Sequence, residues 1–339
     1  MNQQYIYLGS FLVVCSGAKF KSEEWDPMGL NRFGFTSSVP LANLVRCSAA
    51  LRERFQRVLQ RLDYSQIDRA KLELHRSTVQ RRLLITFSTN RILPIGSTQR
   101  GTAIPQSSDL DLLLILQFKE LRWGGELVRS STVLDNVRKT LQVRYRNTSI
   151  GRDGQAVAVD FGDGERPIEV VPGAFLGLGE GAPRYLIPDR NDGWIQTSPD
   201  SHNKFIALAD WRSGGKLKSV AKLAKYWRWC RTPEVPLSSF HIELLLAQNA
   251  ICVGAKSHGQ CLYELFKLLS DRQCRSLQDP CGISGLIPAA GTEAKRARAY
   301  ATVTDSTEHA VRALAAERIG RTADAIFQWN CVFNGWFPG

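Results

Sequence analysis

The stretch Gly96–Leu116 reads GSTQRGTAIPQSSDLDLLLIL and contains the strongest indication of the fold. It joins two glycine turns, Gly96-Ser97 and Gly101-Thr102, to a pair of aspartates, Asp109 and Asp111. The five residues after the second aspartate are all apolar, which predicts a central strand that is covered on both faces. Because residues two apart in a strand point to the same face, we expect the two aspartates to lie side by side at the start of that strand.

Each part of this stretch has a chemical use. A strand that leads into a Gly-Ser turn at the start of a helix presents backbone N–H groups to a phosphate, and glycine lets the anion come close. The Ser97 hydroxyl can donate to a terminal phosphate oxygen. Two carboxylates on one face can hold divalent ions between an attacking hydroxyl and a leaving pyrophosphate. Either motif alone is common, and their succession makes the signal specific.

The flanking residues predict an α/β sheet lobe. Apolar periodicity predicts helices over 41–87 with a break at 63–65, and the second of them is a long charged helix that we expect to be a spine across two lobes. An Asp163-Gly164 pair predicts a hairpin turn between two strands. The predicted strands cover 91–95, 108–118, 156–161 and 167–172, and a further helix covers 126–144.

The chain from about residue 202 onward is predicted to be mostly helical. Amphipathic stretches predict helices over 216–230, 239–252, 262–270 and 293–316. We therefore expect an N-terminal extension (1–40), a catalytic lobe with the spine helix (41–200) and a helical lobe with a C-terminal tail (201–339).

The composition is that of a globular protein, with 43% hydrophobic and 22% charged residues. The net charge of +12 suits polyanionic ligands, such as nucleoside triphosphates or nucleic acid, and does not choose between them. No run is long and apolar enough to cross a bilayer, so we expect a cytoplasmic protein without a membrane partner.

The eight cysteines are scattered without a CxxC pair, so reduced thiols are expected. His258, Cys261, Cys274 and Cys281 are of the residue types that bind zinc. The sequence favours buried core thiols over a zinc site and leaves both open.

The order GS-xxx-GT, then DxD, then an acid in Ile168-Glu169-Val170-Val171-Pro172, resembles the nucleotidyltransferases related to cyclic GMP–AMP synthase and oligoadenylate synthase. The resemblance implies a DNA-polymerase-β-like α/β fold, in which a nucleotidyltransferase sheet lobe with a long spine helix precedes a C-terminal helical lobe. It also implies Mg²⁺ or Mn²⁺ as the cofactor, with Asp109, Asp111 and a third acid as metal ligands and catalytic residues.

Two residues compete for the place of the third acid. Glu169 occupies the position that the family uses, although the family usually has aspartate there and glutamate is one methylene longer. Asp160, on the preceding strand, is the alternative. We favour Glu169.

The resemblance continues into the helical lobe. The residues before and including Trp227, VAKLAKYW, resemble the family's lysine-x-tryptophan helix, and Leu237-Ser238-Ser239-Phe240 resembles its serine–aromatic element. In the family the lysine and serine contact the donor triphosphate, and the aromatic ring stacks on its base. The implied nucleotide-binding residues are therefore Gly96, Ser97, Lys225, Ser239 and Phe240, although Phe240 is also compatible with a plain core position.

Within this family the chain is most similar to the bacterial CD-NTases of CBASS anti-phage systems, over roughly residues 41–337. That similarity implies synthesis of a cyclic di- or trinucleotide second messenger from triphosphates such as ATP and GTP. The C-terminal sequence FNGWFPG, which ends at Gly339, resembles tails that a ubiquitin-transfer-like partner conjugates. The alternative is a C-terminus that docks on the core through Trp329, Phe333 and Trp336.

Two other functions stay open at this point. A nucleotidyltransferase with the same site could modify a protein or RNA acceptor, and a degenerate member could be a catalytically weak nucleotide-binding scaffold. The intact pair of Asp109 and Asp111 favours an active enzyme over a scaffold.

Overall fold

The structure is a computed structural model that describes residues 7–8, 11–12, 48–162 and 166–338. The chain forms two units, Met1–Asn43 and Leu44–Gly339. In the first, β1 (Tyr7–Leu8) pairs with β2 (Phe11–Leu12). The rest of the predicted N-terminal extension, the start of the first predicted helix and the turn at Asp163-Gly164 lie outside the described residues.

A mixed sheet of seven strands is the centre of the second unit. Its strands are β3 (Thr89–Pro94), β4 (Leu110–Leu116), β7 (Ser149–Asp153), β8 (Ala156–Asp160), β9 (Ile168–Gly179), β10 (Ala182–Pro188) and β11 (Trp194–Thr197). They follow the order β11-β10-β9-β4-β3, and β7 and β8 extend the sheet from β9. The pair β4–β9 is parallel, and the other pairs are antiparallel. Two short hairpins complete the described strands: β5 (Arg122–Trp123) with β6 (Glu126–Leu127), and β12 (Leu277–Gln278) with β13 (Leu286–Ile287).

Most of the helices begin at serine or threonine N-caps, whose hydroxyls accept from the backbone N–H three residues later. The helices are α1 (Ala49–Arg61), α2 (Gln66–Thr86), α3 (Gly96–Arg100), α4 (Ser130–Arg144), α5 (Pro199–Arg212), α6 (Lys216–Trp229), α7 (Ser239–Gln248), α8 (His258–Asp271), α9 (Glu293–Arg318) and α10 (Thr322–Val332). None of the described helices is long and apolar enough to cross a membrane.

Alternate residues of β4 face two different layers. Leu112, Leu114 and Leu116 pack with α2 and α4 in the core of the sheet lobe. Leu113 and Ile115 pack on the other face with Tyr185. Because side chains alternate along a strand, Asp109 and Asp111 share the face of Leu113 and Ile115. The helical lobe has a separate, larger core built from α1 and α5–α10.

The observed elements correct the predictions at three places. The helix predicted over 126–144 begins only at Ser130, because Glu126–Leu127 pairs as a short strand. The strands β7, β10 and β11 were missed. The first helix packs in the helical core through Leu51 and Phe55, although the sequence analysis placed it with the catalytic lobe. The pairing of β8 with β9 confirms the predicted hairpin strands.

The spine helix α2 packs mainly on the sheet lobe. Its buried residues, Val79 and Leu83, belong to the sheet core, and Tyr145 donates to Thr78 Oγ1 over 3.1 Å. Contact with the helical lobe is made just before the helix, where Asp63 forms an ion pair of 2.8 Å with Lys222. The described cysteines are free thiols.

Candidate active site

The parallel pairing of β4 with β9 brings three acids together. In its register Asp111 lies directly beside Glu169, and Asp109 precedes Asp111 by two residues on the same face. All three side chains line one cleft of about 410 Å³ between the sheet lobe and the helical lobe. The predicted convergence of carboxylates on one face is therefore present.

The Gly-Ser turn lies against the same carboxylates. Gly96 has φ +70°, a conformation that favours glycine, and a Cβ at this position would lie 1.7 Å from Asp111 Oδ2. The backbone N–H of Ile95 donates to the carbonyl of Asp111 over 2.9 Å. Gly96 and Ser97 consequently form one wall of the cleft, in contact with the acids.

Burial and mutual repulsion disfavour the charged forms of these acids. Burial, together with the neighbouring charge of Asp111, raises the pKa of Glu169 to about 8. Burial and the charge of Asp109 raise the pKa of Asp111 to about 6, and burial also raises the pKa of Asp109. The carboxyls of Asp111 and Glu169 share a hydrogen bond. Three carboxyls held so close together are stabilised in their charged forms only by a cation.

This donor set fits a divalent metal ion. Carboxylate oxygens are the preferred ligands of Mg²⁺ and suit Mn²⁺, and the raised pKa values are those of a ligand set without its counter-charge. Arg166 lowers the pKa of Asp109, but burial outweighs that effect. Asp109, Asp111 and Glu169 would hold the ion.

Asp160 lies elsewhere. It is exposed at the end of β8, where its Oδ1 accepts from the backbone N–H of Gly162 over 3.0 Å, and it is absent from the cleft lining. Asp153, which was not among the predicted acids, acts on the site electrostatically. Its negative charge raises the pKa of Asp109 and of Glu169.

The predicted nucleotide-binding residues of the helical lobe divide into two groups. Ser239 and Phe240, at the start of α7, line the cleft opposite the acids. Arg228 donates to Ser239 Oγ over 2.5 Å, which leaves the hydroxyl proton of Ser239 free to donate to a ligand. Lys225 does not line the cleft, because its side chain is only 1% exposed and its Nζ lies 2.7 Å from Glu243 Oε1.

The cleft also contains residues that the sequence analysis missed. Arg100, at the end of α3, and His202, in the first turn of α5, both line it. The His202 ring meets the Phe240 ring edge-on, with centroids 5.1 Å apart. Arg100 lies inside the GS-xxx-GT motif, so its position beside the turn was readable from the sequence, whereas nothing local to His202 indicated its partner.

That partner is Asp279. Its two carboxylate oxygens lie 3.0 and 3.1 Å from His202 Nε2, and they also accept backbone N–H groups from Cys281, Ile283 and Ser284. His202, Asp279 and Cys281 have the residue types of a metal site and lie close together. The backbone hydrogen bonds account for this cluster, because they satisfy Asp279 and fix the loop after β12.

The zinc candidates are not assembled. In the described part of the chain, His258, Cys261 and Cys274 belong to no group of metal-ligand side chains, and Cys281 lies with His202 instead. The free thiols of Cys261 and Cys252 are hydrogen-bonded to each other in the helical core, where both are buried. Core thiols, the favoured reading of the sequence, agree with this arrangement.

Comparison with known sequences places the chain among enzymes that make nucleotide messengers. Residues 50–208 match the family described as Second Messenger Oligonucleotide or Dinucleotide Synthetase domain. A probable cyclic nucleotide synthase of Bacillus cereus (strain VD146) is 22% identical over 282 residues, which cover 74% of this chain and 83% of that protein. A cyclic AMP-AMP-AMP synthase of Escherichia coli (strain MS 115-1) is 27% identical over 168 residues, or 48% of this chain and 50% of that protein.

Solved structures share the fold. E. coli MS115-1 CdnC with ATP superimposes with a TM-score of 0.65 at 19% identity, covering 85% of this chain and 99% of that one. Vibrio cholerae DncV, a cyclic AMP-GMP synthase in complex with the linear intermediate 5′ pppA(3′,5′)pG, gives a TM-score of 0.55 at 16% identity, over 74% of this chain and 69% of that one. Residues 50–208 thus carry the synthetase domain, which makes the chain a nucleotidyltransferase similar to the bacterial CD-NTases, and the solved structures share its α/β fold.

Proposed function

We propose that this protein joins nucleoside triphosphates into a cyclic di- or trinucleotide second messenger for anti-phage defence. The observation that carries the proposal is the convergence of Asp109, Asp111 and Glu169 on one cleft beside the Gly96-Ser97 turn. A nucleotidyl transfer needs this combination, because a triphosphate must be held next to a carboxylate-bound metal. The similarity to cyclic nucleotide synthases supports the choice of product class.

Different residues of the cleft have different roles in the proposed transfer. Backbone groups of the turn and the hydroxyls of Ser97 and Ser239 hold the donor triphosphate, with the charge of Lys225 beneath the turn. The Phe240 ring is the surface on which the donor base stacks. Mg²⁺ or Mn²⁺, when bound by the three acids, neutralises charge on the phosphates and the leaving pyrophosphate.

The bond changes follow from this placement. A ribose 2′- or 3′-hydroxyl of the acceptor attacks the α-phosphorus, a new O–P bond forms, and the bond to the β-phosphate oxygen breaks to release pyrophosphate. Glu169 lies where it can take the hydroxyl proton. A second transfer in the same cleft closes the ring. ATP and GTP are the proposed substrates, since solved CD-NTase structures carry ATP and 3′-deoxy GTP.

We also propose that a partner protein conjugates this chain at Gly339, and that the protein is cytoplasmic. The residue itself lies outside the described part of the chain. The preceding residues dock on the helical lobe: Phe337 is buried, and Arg54 donates to the carbonyl of Pro338 over 2.7 Å. A ubiquitin-transfer-like partner would therefore meet a tail whose residues Phe337 and Pro338 are docked on the helical lobe.

The test is incubation of the purified protein with all four labelled ribonucleoside triphosphates and Mg²⁺ or Mn²⁺, followed by phosphatase treatment and mass spectrometry. We expect a phosphatase-resistant cyclic product. The double variant Asp109→Ala, Asp111→Ala should be folded, by circular dichroism, and give no product. Product from the double variant would show that the acids are not the site, and label on added RNA or protein would indicate a modifying enzyme instead.

A further inference from the structure

A fully buried carboxylate lies behind the cleft. Glu243 belongs to α7, four residues after Ser239, and its side chain is 0% exposed. Its Oε1 accepts from Thr102 Oγ1 and from Lys225 Nζ, each over 2.7 Å. Its Oε2 accepts from Arg100 Nε. An isolated carboxylate is costly to bury, and these three donors offset the cost of burying the Glu243 carboxylate.

The donors come from both lobes. Arg100 and Thr102 frame Gly101 in the motif that begins at Gly96, and Lys225 lies on α6 of the helical lobe. Glu243 therefore ties the Gly96–Thr102 turn to α6 and α7 of the helical lobe. Two cations share one carboxylate, which leaves one net positive charge in a region where water is excluded.

The two cations differ in their access to the cleft. Arg100 lines it, with 9% of its side chain exposed, and its guanidinium carbon lies 5.1 Å from the centroid of the Phe240 ring. Lys225 is 1% exposed and is not among the lining residues. Glu243 accepts from Nε of Arg100, and within the described part of the chain the two terminal nitrogens of the guanidinium form no hydrogen bond, so they are available to a ligand.

We infer that Arg100, rather than Lys225, is the cation that contacts the donor triphosphate, and that Glu243 is the residue that positions it. Lys225 balances the charge of Glu243 and acts on the ligand only through that network. The planar guanidinium suits two phosphate oxygens at once, and its stacking on Phe240 places the phosphate-binding cation next to the surface proposed for the base. This inference rests on the proposed function, because it assumes a triphosphate in this cleft.

Binding of a non-hydrolysable analogue of ATP in the presence of Mg²⁺, measured by calorimetry, tests the inference without relying on turnover. Arg100→Met should raise Kd by about tenfold to a hundredfold, because a charge-assisted contact is lost. Glu243→Gln should raise it by about tenfold, since Arg100 is then no longer fixed by a charged partner. Lys225→Met should raise it clearly less than Arg100→Met. The exposed Arg146→Met, which removes one positive charge elsewhere, should stay within about twofold of the wild type.

Two further variants separate positioning from folding. Arg100→Lys keeps the charge and should recover part of the affinity, whereas a purely structural loss would not be recovered. The double variant Glu243→Gln, Lys225→Met keeps the net charge of this buried group at its wild-type value, so it should fold and still bind weakly. If turnover is observed, Arg100→Met should raise KM more than it lowers kcat, because the contact exists before and during the reaction.

A larger effect of Lys225→Met than of Arg100→Met would overturn the inference, as would wild-type affinity in Glu243→Gln. Failure of the proposed function looks different. A wild type that binds the analogue but makes no product leaves the ranking of the variants as the deciding result, and a wild type that binds no triphosphate at all refutes both proposals.

Discussion

Glu169 stands where related enzymes usually have aspartate, and the strand register shows what surrounds it. It lies directly beside Asp111, and the two carboxyls share a hydrogen bond. Asp160, its competitor, is one strand away, exposed, and bonded to the backbone of Gly162. The carboxyl that lies beside Asp109 and Asp111 therefore comes from β9 and not from β8.

This arrangement predicts opposite results for two conservative substitutions. Glu169→Gln keeps the size of the side chain but removes the third negative charge, so we expect product formation to fall by about a hundredfold or more. Asp160→Asn should leave the rate within about twofold of the wild type. Initial rates of product formation at saturating Mg²⁺ measure both. The reverse ranking would transfer the role of third acid to Asp160.

The raised pKa values also predict how stability depends on pH. The folded-state pKa of Glu169, about 8, and that of Asp111, about 6, exceed their ordinary values of 4.5 and 3.8. For groups shifted in this direction, the contribution to stability is complete below the ordinary pKa and is lost as the pH rises through the folded-state value. Without divalent ions, the free energy of unfolding should therefore fall as the pH rises from about 4.5 to about 8.

Thermal unfolding in EDTA and in Mg²⁺ across this pH range checks the prediction. Metal binding requires the charged carboxylates, so the stabilisation by Mg²⁺ should grow as the pH rises. Glu169→Gln removes the group with the largest shift and should flatten the curve measured in EDTA. Equal stabilisation by Mg²⁺ at about pH 5.5 and at about pH 8.5 would contradict it.

At the scale of elements, the close contact between the turn after β3 and Asp111 requires a glycine at residue 96. Gly96 combines a positive φ with a backbone that presses against Asp111, so no side chain fits between the turn and the carboxylate. The same turn is tied at its other end, where Thr102 and Arg100 bond to Glu243. The Gly96–Thr102 turn is thus held between β4 and α7.

Replacing this glycine should therefore damage both stability and activity. Gly96→Ala places a methyl group where Asp111 Oδ2 lies and forces alanine into a left-handed conformation. We expect a loss of about 1–3 kcal/mol in the free energy of unfolding from the backbone strain alone, and near-complete loss of product. Gly151→Ala is the matched control, because nothing lies within 4 Å of its added carbon and its φ is not positive. Wild-type activity in Gly96→Ala would mean that the turn does not contact the metal-binding acids.

At the scale of the whole molecule, the two lobes are joined by polar contacts around the cleft, while each has its own apolar core. The helical core includes both the first helix and the C-terminal residues: Phe55 of α1 packs against Phe337 with ring centroids 5.0 Å apart. Phe333 and Trp329 are also fully buried there, whereas Trp336 is half exposed. The docked C-terminus anticipated as the alternative to a free tail is the observed conformation of residues up to Pro338.

The tail should therefore contribute to stability. Phe337→Ala leaves a cavity beside Phe55 and Phe333, and we expect it to lower the free energy of unfolding by roughly 3–5 kcal/mol. Trp336→Ala removes a larger but half-exposed ring and should cost clearly less. Chemical denaturation of the two variants measures the difference. Equal, small effects would indicate that the tail is not packed on the core in solution.

The central strand β4, the Gly-Ser turn, the two aspartates on one face and the helical nature of the C-terminal half could all be predicted from the sequence alone. These features depend on local rules, namely the alternation of faces in a strand, the periodicity of apolar residues in helices and the conformational freedom of glycine. The packing of distant elements put Glu169 in the cleft and Asp160 outside it, turned Lys225 away from the cleft, and joined Arg100 to Glu243 and His202 to Asp279. Those outcomes depend on which distant strands pair and on how buried charges find partners. Arg100 and Glu243 are 143 positions apart in the chain and His202 and Asp279 are 77 apart, so local sequence rules do not reach them.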